Sequence, residues 1–198
     1  MDKFREKVFS EDFFNRPVLT VAKEMLGKFL IRRRGGKETA LMITEVEAYD
    51  GFKDKASHAS RGKTERNKVM FGGAGNWYVY FTYGMHWMLN IVTGSKDYPA
   101  AVLIRGTKEI SGPGRITKYL KIDKKFNAKP ANKKTGLWIA ASPKRAGEPR
   151  PKGAGRFKIK RLPRVGVAYA GEWADKPYRF YLRDIDNKNH HAMLQKHR

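Results

Sequence analysis

A single mixed α+β domain with many short, mostly antiparallel strands is the fold this sequence predicts. Three observations predict it. The chain has 198 residues, close to the length of one ordinary domain. Its apolar residues recur in short runs rich in β-branched and aromatic side chains, separated by Gly, Pro, Asn and Asp clusters. Only two stretches carry the spacing of an amphipathic helix, and no internal repeat or low-complexity tract interrupts the pattern.

The elements follow in order. Leu19, Val21, Ala22, Met25 and Leu26 place a short helix over Val18–Leu26, with Gly27 as its stop. Lys28–Arg33 is extended and leads to a turn at Gly35-Gly36. Ala40–Tyr49 is β-branched and reads as a strand. Residues 51–76, rich in Gly, Lys, Ser and Asn, form a loop too long for a plain connection, hence a functional one. Trp77–Tyr83 and His86–Val92 form a hairpin around Tyr83-Gly84-Met85, and Ala100–Arg105 is another apolar strand. Pro113 in Ser111-Gly-Pro-Gly-Arg opens a helix that runs to about Leu120. Leu137–Ala141, Val165–Ala170 and Tyr178–Leu182 are expected as short strands. Ser142–Arg164 holds nine basic residues, one acidic residue and four of the nine prolines, and reads as an exposed basic loop.

Charge narrows the function. Lys and Arg total 42 against 19 Asp and Glu, a formal net charge of +23, so a polyanionic partner is expected. The chain has no cysteine, which excludes disulfides, thiolate nucleophiles and Cys-ligated zinc or iron–sulfur sites. His58 and His86 are isolated, and His190, His191 and His197 sit in a polar tail, so no metal site is expected. No apolar run reaches the roughly 18–20 residues of a membrane span. The N-terminus MDKFREKVFSEDFF lacks the apolar core of a secretory signal. An intracellular protein that does not enter a membrane is therefore expected.

Four places could carry chemistry. In Thr44-Glu-Val-Glu-Ala-Tyr49, strand alternation puts Glu45, Glu47 and Tyr49 on one face. A carboxylate in a partly dry cleft can act as a general base, although a charged, solvated strand face is the commoner outcome. His58, on the long loop, can donate into a pocket or be solvated. Arg66 and Asn67, farther along that loop, read as turn stabilisers. In Trp77-Tyr-Val-Tyr-Phe-Thr-Tyr-Gly84, Tyr78 and Tyr80 share a face, and Tyr83 falls on the other face or at the hairpin tip. A ring at a hairpin tip of so basic a protein suggests a wedge between base pairs; Trp77 and Phe81 fit ordinary cross-strand packing. Arg105 closes an apolar strand, as a rim residue or an active-site cation. Together these are the parts needed to flip a base out of a duplex, stack it and hydrolyse its glycosidic bond.

The run TEVEAYDGFKDKASHASRGKTERNKVMFGGAGNWYVYFTYGMHWMLNIV resembles the alkyladenine (3-methyladenine) DNA glycosylase family, the class without a helix–hairpin–helix element. The match continues through AAVLIRG, SGPGR and VGVAYAGEWADKPYRFYL and covers roughly residues 17–183, leaving the basic Pro-rich loop 142–164 and the tail 184–198 without a counterpart. Met88 stands where many members have Cys, Ala74 where Pro is usual, and Glu65 where Pro precedes Arg66.

The resemblance implies one compact α+β domain over residues 1–198, with a curved, mainly antiparallel sheet, flanking short helices and a protruding hairpin. It also implies residue roles. Glu47 is the general base that activates water, and Arg105 stands near that water and the flipped nucleotide's backbone. Tyr49 and Tyr80 are the opposing stacking rings, and His58 stacks on and hydrogen-bonds the base. Asn90 crowds a purine 2-amino group, and Tyr83 is the wedge that replaces the extruded nucleotide. The implied protein is a monomeric, DNA-associated, monofunctional glycosylase that acts on double-stranded DNA containing alkylated or deaminated purines and uses no metal or organic cofactor. Two other readings compete: a non-enzymatic basic nucleic-acid-binding protein, which leaves Glu47 beside two rings unexplained, and a hydrolase of free nucleosides, which needs neither tip ring nor charge.

Overall fold

The longest strand, Lys37–Asp50, organises the rest of the molecule. In the computed structural model, which describes residues 7–141 and 157–184, the chain forms three helices, α1 (Glu11–Phe14), α2 (Val18–Met25) and α3 (Pro113–Leu120), and eight strands. The strands are β1 (Phe29–Arg34), β2 (Lys37–Asp50), β3 (Trp77–Thr82), β4 (His86–Thr93), β5 (Ala100–Thr107), β6 (Leu137–Ala140), β7 (Phe157–Leu162) and β8 (Arg179–Asp184). The strands join in one curled sheet, ordered β3-β4-β5-β2-β1-β6, with β8 joining β2 to β7. All seven strand pairings are antiparallel.

β2 serves both halves of this sheet. Lys37–Met42 pairs with β1, while Glu45–Glu47 lies between β5 on one edge and β8 on the other. The change occurs at a register shift between Ile43 and Val46, an extra residue that bends a strand. Gly106 makes the bend possible, because a Cβ there would lie 2.9 Å from the Cβ of Glu45.

The helices form as their patterns require. α2 buries Val18, Val21, Ala22 and Met25 against β2 and β5 and stops before Gly27, whose φ of 76° is left-handed. α3 starts on Pro113, buries Ile116, Thr117 and Leu120 against β4 and β5, and ends at Lys121. The Thr117 hydroxyl donates to the Trp87 carbonyl at 2.9 Å and pins α3 to β4. The core contains Trp77, Ile91, Val102, Ile104, Val46 and Phe180, each wholly buried. Phe81 stacks on its cross-strand partner Trp87 at 4.8 Å, the packing role expected for it.

The hairpin β3–β4 protrudes, with Tyr83 77% and Met85 67% exposed at its tip. Residues 51–76 hold no strand and are shaped by 3₁₀ turns at His58–Arg61 and Lys68–Phe71. Among the described residues, no helix is long and apolar enough to cross a membrane.

Two expectations are corrected. Val165–Ala170 is not a strand. Gly166 and Gly171 adopt left-handed φ of 74° and 57°, and the chain turns into a 3₁₀ segment, Ala168–Trp173. The Val165 N–H goes to a carboxylate rather than a neighbouring strand. Nor is Ser142–Arg164 a loop throughout. Phe157–Leu162 is the edge strand β7, where exposed Lys158 and Arg161 are tolerated because one edge pairs with no other strand among the described residues, and Arg164 is buried. Residues 142–156 of that stretch, and the tail beyond Asp184, lie outside the described residues.

Candidate active site

The bend in β2 aims two carboxylates into one cleft. Glu45, Glu47 and Tyr49 line it from β2, as their alternation predicts. Tyr78 and Tyr80 enter from β3, Asn90 from β4, Arg105 from β5 and His58 from the long loop. The Ser111–Arg115 entry to α3 and the Val165–Val167 turn complete a cavity of about 780 Å³, and Tyr83 stands at its hairpin rim. The seven residues to which the resemblance gives roles, Glu47, Tyr49, His58, Tyr80, Tyr83, Asn90 and Arg105, all line this cavity.

Glu47 is 0% exposed. Its Oε1 accepts the Val165 N–H at 2.9 Å and lies 3.6 Å from the Arg105 Nε, and its Oε2 accepts the Tyr49 hydroxyl at 3.0 Å. Burial pushes its carboxyl above the ordinary carboxylate range; Arg105, the Val165 N–H and the Tyr49 hydroxyl oppose the rise, and Glu45 adds to it. The result is a dry, oriented carboxylate of raised basicity. Burial, then the Glu47 charge, drive the Tyr49 phenol well above its usual value, so it stays a donor.

Glu45 is a hub. It holds the Arg105 Nε at 3.1 Å and an Arg179 guanidinium nitrogen at 3.3 Å. The two acids and two arginines thus form one cluster at the cleft floor.

The aromatic wall is assembled by the long loop. Asn67 bridges it, donating to the carbonyls of His58 and Gly62 at 2.9 Å each and accepting the Thr64 N–H at 2.7 Å. This fixes His58, whose Nδ1 is hydrogen-bonded to the Tyr78 hydroxyl at 3.0 Å and whose ring meets Tyr80 edge-on at 4.6 Å. One edge of the imidazole opens to the cleft, yet protein packed around the ring, and secondarily the Arg66 charge, lower its pKa to about 4. Tyr78 and Tyr80 lie 5.1 Å apart, and the Arg66 guanidinium sits 5.0 Å over Tyr80. Burial pushes the Tyr78 phenol up to about 12. Asn90 is buried and donates to the Tyr78 carbonyl at 3.1 Å, which fixes its amide on the cleft floor.

Behind Tyr49 lies a pair with no signature in the sequence. Arg164 and Asp54 have side chains 0% exposed and meet through two hydrogen bonds, one of them at 2.8 Å. Arg164 also donates to the carbonyls of Ala48 at 2.8 Å and Trp173 at 3.1 Å, and its guanidinium lies 4.9 Å from the Tyr49 ring. It thereby ties β2, the long loop and the Val165 turn together. Arg66, read from the sequence as a turn stabiliser, is a cleft residue; Asn67 does stabilise the loop.

The electrostatics suit a cationic or neutral aromatic ligand stacked on tyrosine, with a base at one end. Among the described residues, no group of three or more His, Cys, Asp or Glu side chains could hold a metal ion.

The same residues lie within a broader sequence match. A model of the methylpurine-DNA glycosylase family matches residues 12–186. A protein of Legionella pneumophila (strain Lens) named "Putative 3-methyladenine DNA glycosylase" is 42% identical over 179 residues, covering 87% of this chain and 92% of the relative. Relatives of the same name from Myxococcus xanthus and Methanocella arvoryzae are 41% and 40% identical, each across 88% of this chain. Glu47, its aromatic wall and the Arg164–Asp54 pair all fall within the matched stretch, and the chain belongs to the methylpurine-DNA glycosylase family.

Proposed function

We propose that this protein is a DNA repair glycosylase that flips alkylated or deaminated purines out of double-stranded DNA and hydrolyses their N-glycosidic bond, leaving an abasic site. The observation that carries the reading is Glu47: a wholly buried carboxylate, held by two hydrogen-bond donors and the Arg105 charge, on the floor of a tyrosine-walled cavity large enough to admit a purine. A structural carboxylate needs no cleft before it, and a nucleic-acid-binding protein without activity needs no buried base.

In this mechanism Tyr83 enters the stack and takes the place of the extruded nucleotide. The base slides between Tyr49 and Tyr80, where stacking contributes about 1–3 kcal/mol. A cationic alkylpurine gains further from the ring faces, and the neutral His58 imidazole does not repel it. Asn90 narrows the floor against a purine 2-amino group. Glu47 takes a proton from water and stabilises the positive charge that develops at C1′, while Arg105 orients the water and the sugar-phosphate. The water oxygen bonds to C1′ as the C1′–N bond breaks, and the electron pair leaves with the purine. Damaged bases unstack more readily than normal ones, which adds selectivity before any contact. The +23 charge holds the protein on duplex in a salt-dependent way. The site uses water as nucleophile, so the strand stays intact until alkali is added.

A panel of end-labelled duplexes, each with one damaged purine (3-methyladenine, 7-methylguanine, hypoxanthine or ethenoadenine), tests this reading. Alkali-dependent breaks at one or more lesions are expected. Breaks at none, or breaks without alkali, would contradict it.

A further inference from the structure

The cleft does not end at its rim. Arg115, at the start of α3, lines it, and one helical turn later Tyr119 lines a second, separate cavity. Residues four apart share a helix face. Arg115, Lys118 and Tyr119 are the exposed residues of α3, so its outward stripe is two cations and a ring 60% exposed.

The second cavity, about 500 Å³, lies between the C-terminal end of α3 and the β1–β2 tip. Arg34 pairs with Lys37 and Arg32 with Thr39, so all four side chains project from one face. All four line the cavity, and no acidic residue does. Glu38, on the opposite strand face, is already paired with Arg33 at 2.6 Å, and the Asp123 carboxylate accepts the Lys125 N–H at 2.8 Å. Arg32 is held by the Leu120 carbonyl at 3.3 Å and the Gly136 carbonyl at 3.0 Å, which leaves Arg34 and Lys37 exposed beside it. Arg34 and Lys37 stand with Arg32 in one groove; burial, then the Arg34 charge, lower the Arg32 pKa, and the Asp123 carboxylate opposes the fall. A bound anion would relieve that crowding.

Taking the cleft to hold a damaged nucleotide, we propose that one arm of the same duplex runs along the outer face of α3 and lays its phosphates in the groove of Arg32, Arg34 and Lys37. Charge and continuity with the cleft favour a nucleic-acid backbone over an acidic peptide, because Arg115 stands on the cleft, Lys118 is exposed on the same helix, and the groove beyond holds three more cations. Arg115 on the cleft and Tyr119 on the groove are four residues apart, about 6 Å along α3, and the strand residues Arg32 to Arg34 span about 7 Å more. The far side of the groove therefore lies within about four base-pair steps of the cleft rim at 3.4 Å per phosphate.

The test compares the wild type with an Arg34→Gln/Lys37→Gln double variant, both exposed positions, on duplexes containing a lesion that the panel identifies as a substrate. One duplex has about twelve base pairs on each side of the lesion, a length chosen to exceed that reach, and two others are cut to about two on one side or the other. The expected result is that the slope of log K against log salt on the full duplex falls by about 2 in the variant, one unit per lost phosphate contact. That difference disappears when one particular arm is cut and persists when the other is cut. Single-turnover excision at saturating enzyme stays at the wild-type rate. Equal slopes on the full duplex would overturn the proposal, as would a difference that persists on both trimmed duplexes. A free-phosphate site would show instead as thermal stabilisation of the wild type alone by inorganic phosphate, with no dependence on arm length, and would also overturn it. The slopes are read from binding, so a failure to excise would fall on Glu47 and its pocket and not on the groove.

Discussion

Arg105 lies closer to Glu45 than to Glu47: its Nε is 3.1 Å from Glu45 Oε1 and 3.6 Å from Glu47 Oε1. The proposed base thus shares its counter-charge with a neighbouring carboxylate, and that neighbour also raises its pKa. Replacing Glu45 with Gln removes the like charge and frees Arg105 to close on Glu47. Both changes favour the ionised form of Glu47. Excision requires that form and is lost as pH falls through the Glu47 pKa, so the acid limb of the pH–rate profile is expected to move to lower pH in Glu45→Gln. The rate on the plateau falls because the base is weaker. An acid limb that stays put or moves upward would contradict the shared-charge arrangement.

The Arg164–Asp54 pair predicts a stability effect. Removing one partner of a buried pair leaves an uncompensated charge, at a cost of about 3–5 kcal/mol. Asp54→Asn is expected to lose about that much in urea unfolding, the more so because Asp54 also accepts the N–H groups of Asp50 at 3.0 Å and Ala56 at 3.1 Å. A loss below about 1 kcal/mol, the range of a surface ion pair, would show that the pair does not hold the loop.

At the hairpin tip, function and stability oppose each other. Tyr83 has a left-handed φ of 52° and a ring 77% exposed. A left-handed conformation costs a residue other than glycine about 1–2 kcal/mol, and asparagine tolerates it better. Tyr83→Asn is expected to raise stability by about 1 kcal/mol while weakening capture of lesion-containing duplex more than binding to undamaged duplex. Equal weakening of both, measured by competition at one salt concentration, would remove the wedge role.

Burial, then Arg66, set the fourth expectation. The His58 imidazole has a pKa of about 4 in the fold, against about 6.5 for an ordinary histidine. The unfolded chain therefore takes up a proton first, and this part of the stability is present above pH about 6.5 and lost as pH falls toward 4. A ring C–H titration followed by NMR is expected to show His58 neutral through pH 5, and Arg66→Ala to raise its midpoint. Titration near 6.5 would mean that the imidazole is solvated and not part of the aromatic wall.

Much of the site was legible because it rests on local periodicity. Alternation alone put Glu45, Glu47 and Tyr49 on one face of β2, and placed Tyr78 and Tyr80 together on β3. The glycine at 84 and its flanking aromatics marked the hairpin, and Pro113 marked the start of α3. What local pattern could not show was contact at a distance. Arg164 and Asp54 are 110 residues apart, and a single arginine closing a basic stretch looks like any other. β7 carries no strand signature, because an edge strand rich in Lys and Arg has the composition of a loop. The Val165 turn has the alternating apolar residues of a strand, and only its two left-handed glycines set it apart.

The central claim concerns one carboxyl oxygen pair, and Glu47→Gln tests it most directly. The substitution keeps the shape of the side chain and removes the base. Single-turnover excision from a duplex with one lesion is expected to fall by roughly 10²–10⁴-fold, with binding to that duplex retained. Excision within a few-fold of the wild-type rate would contradict the account.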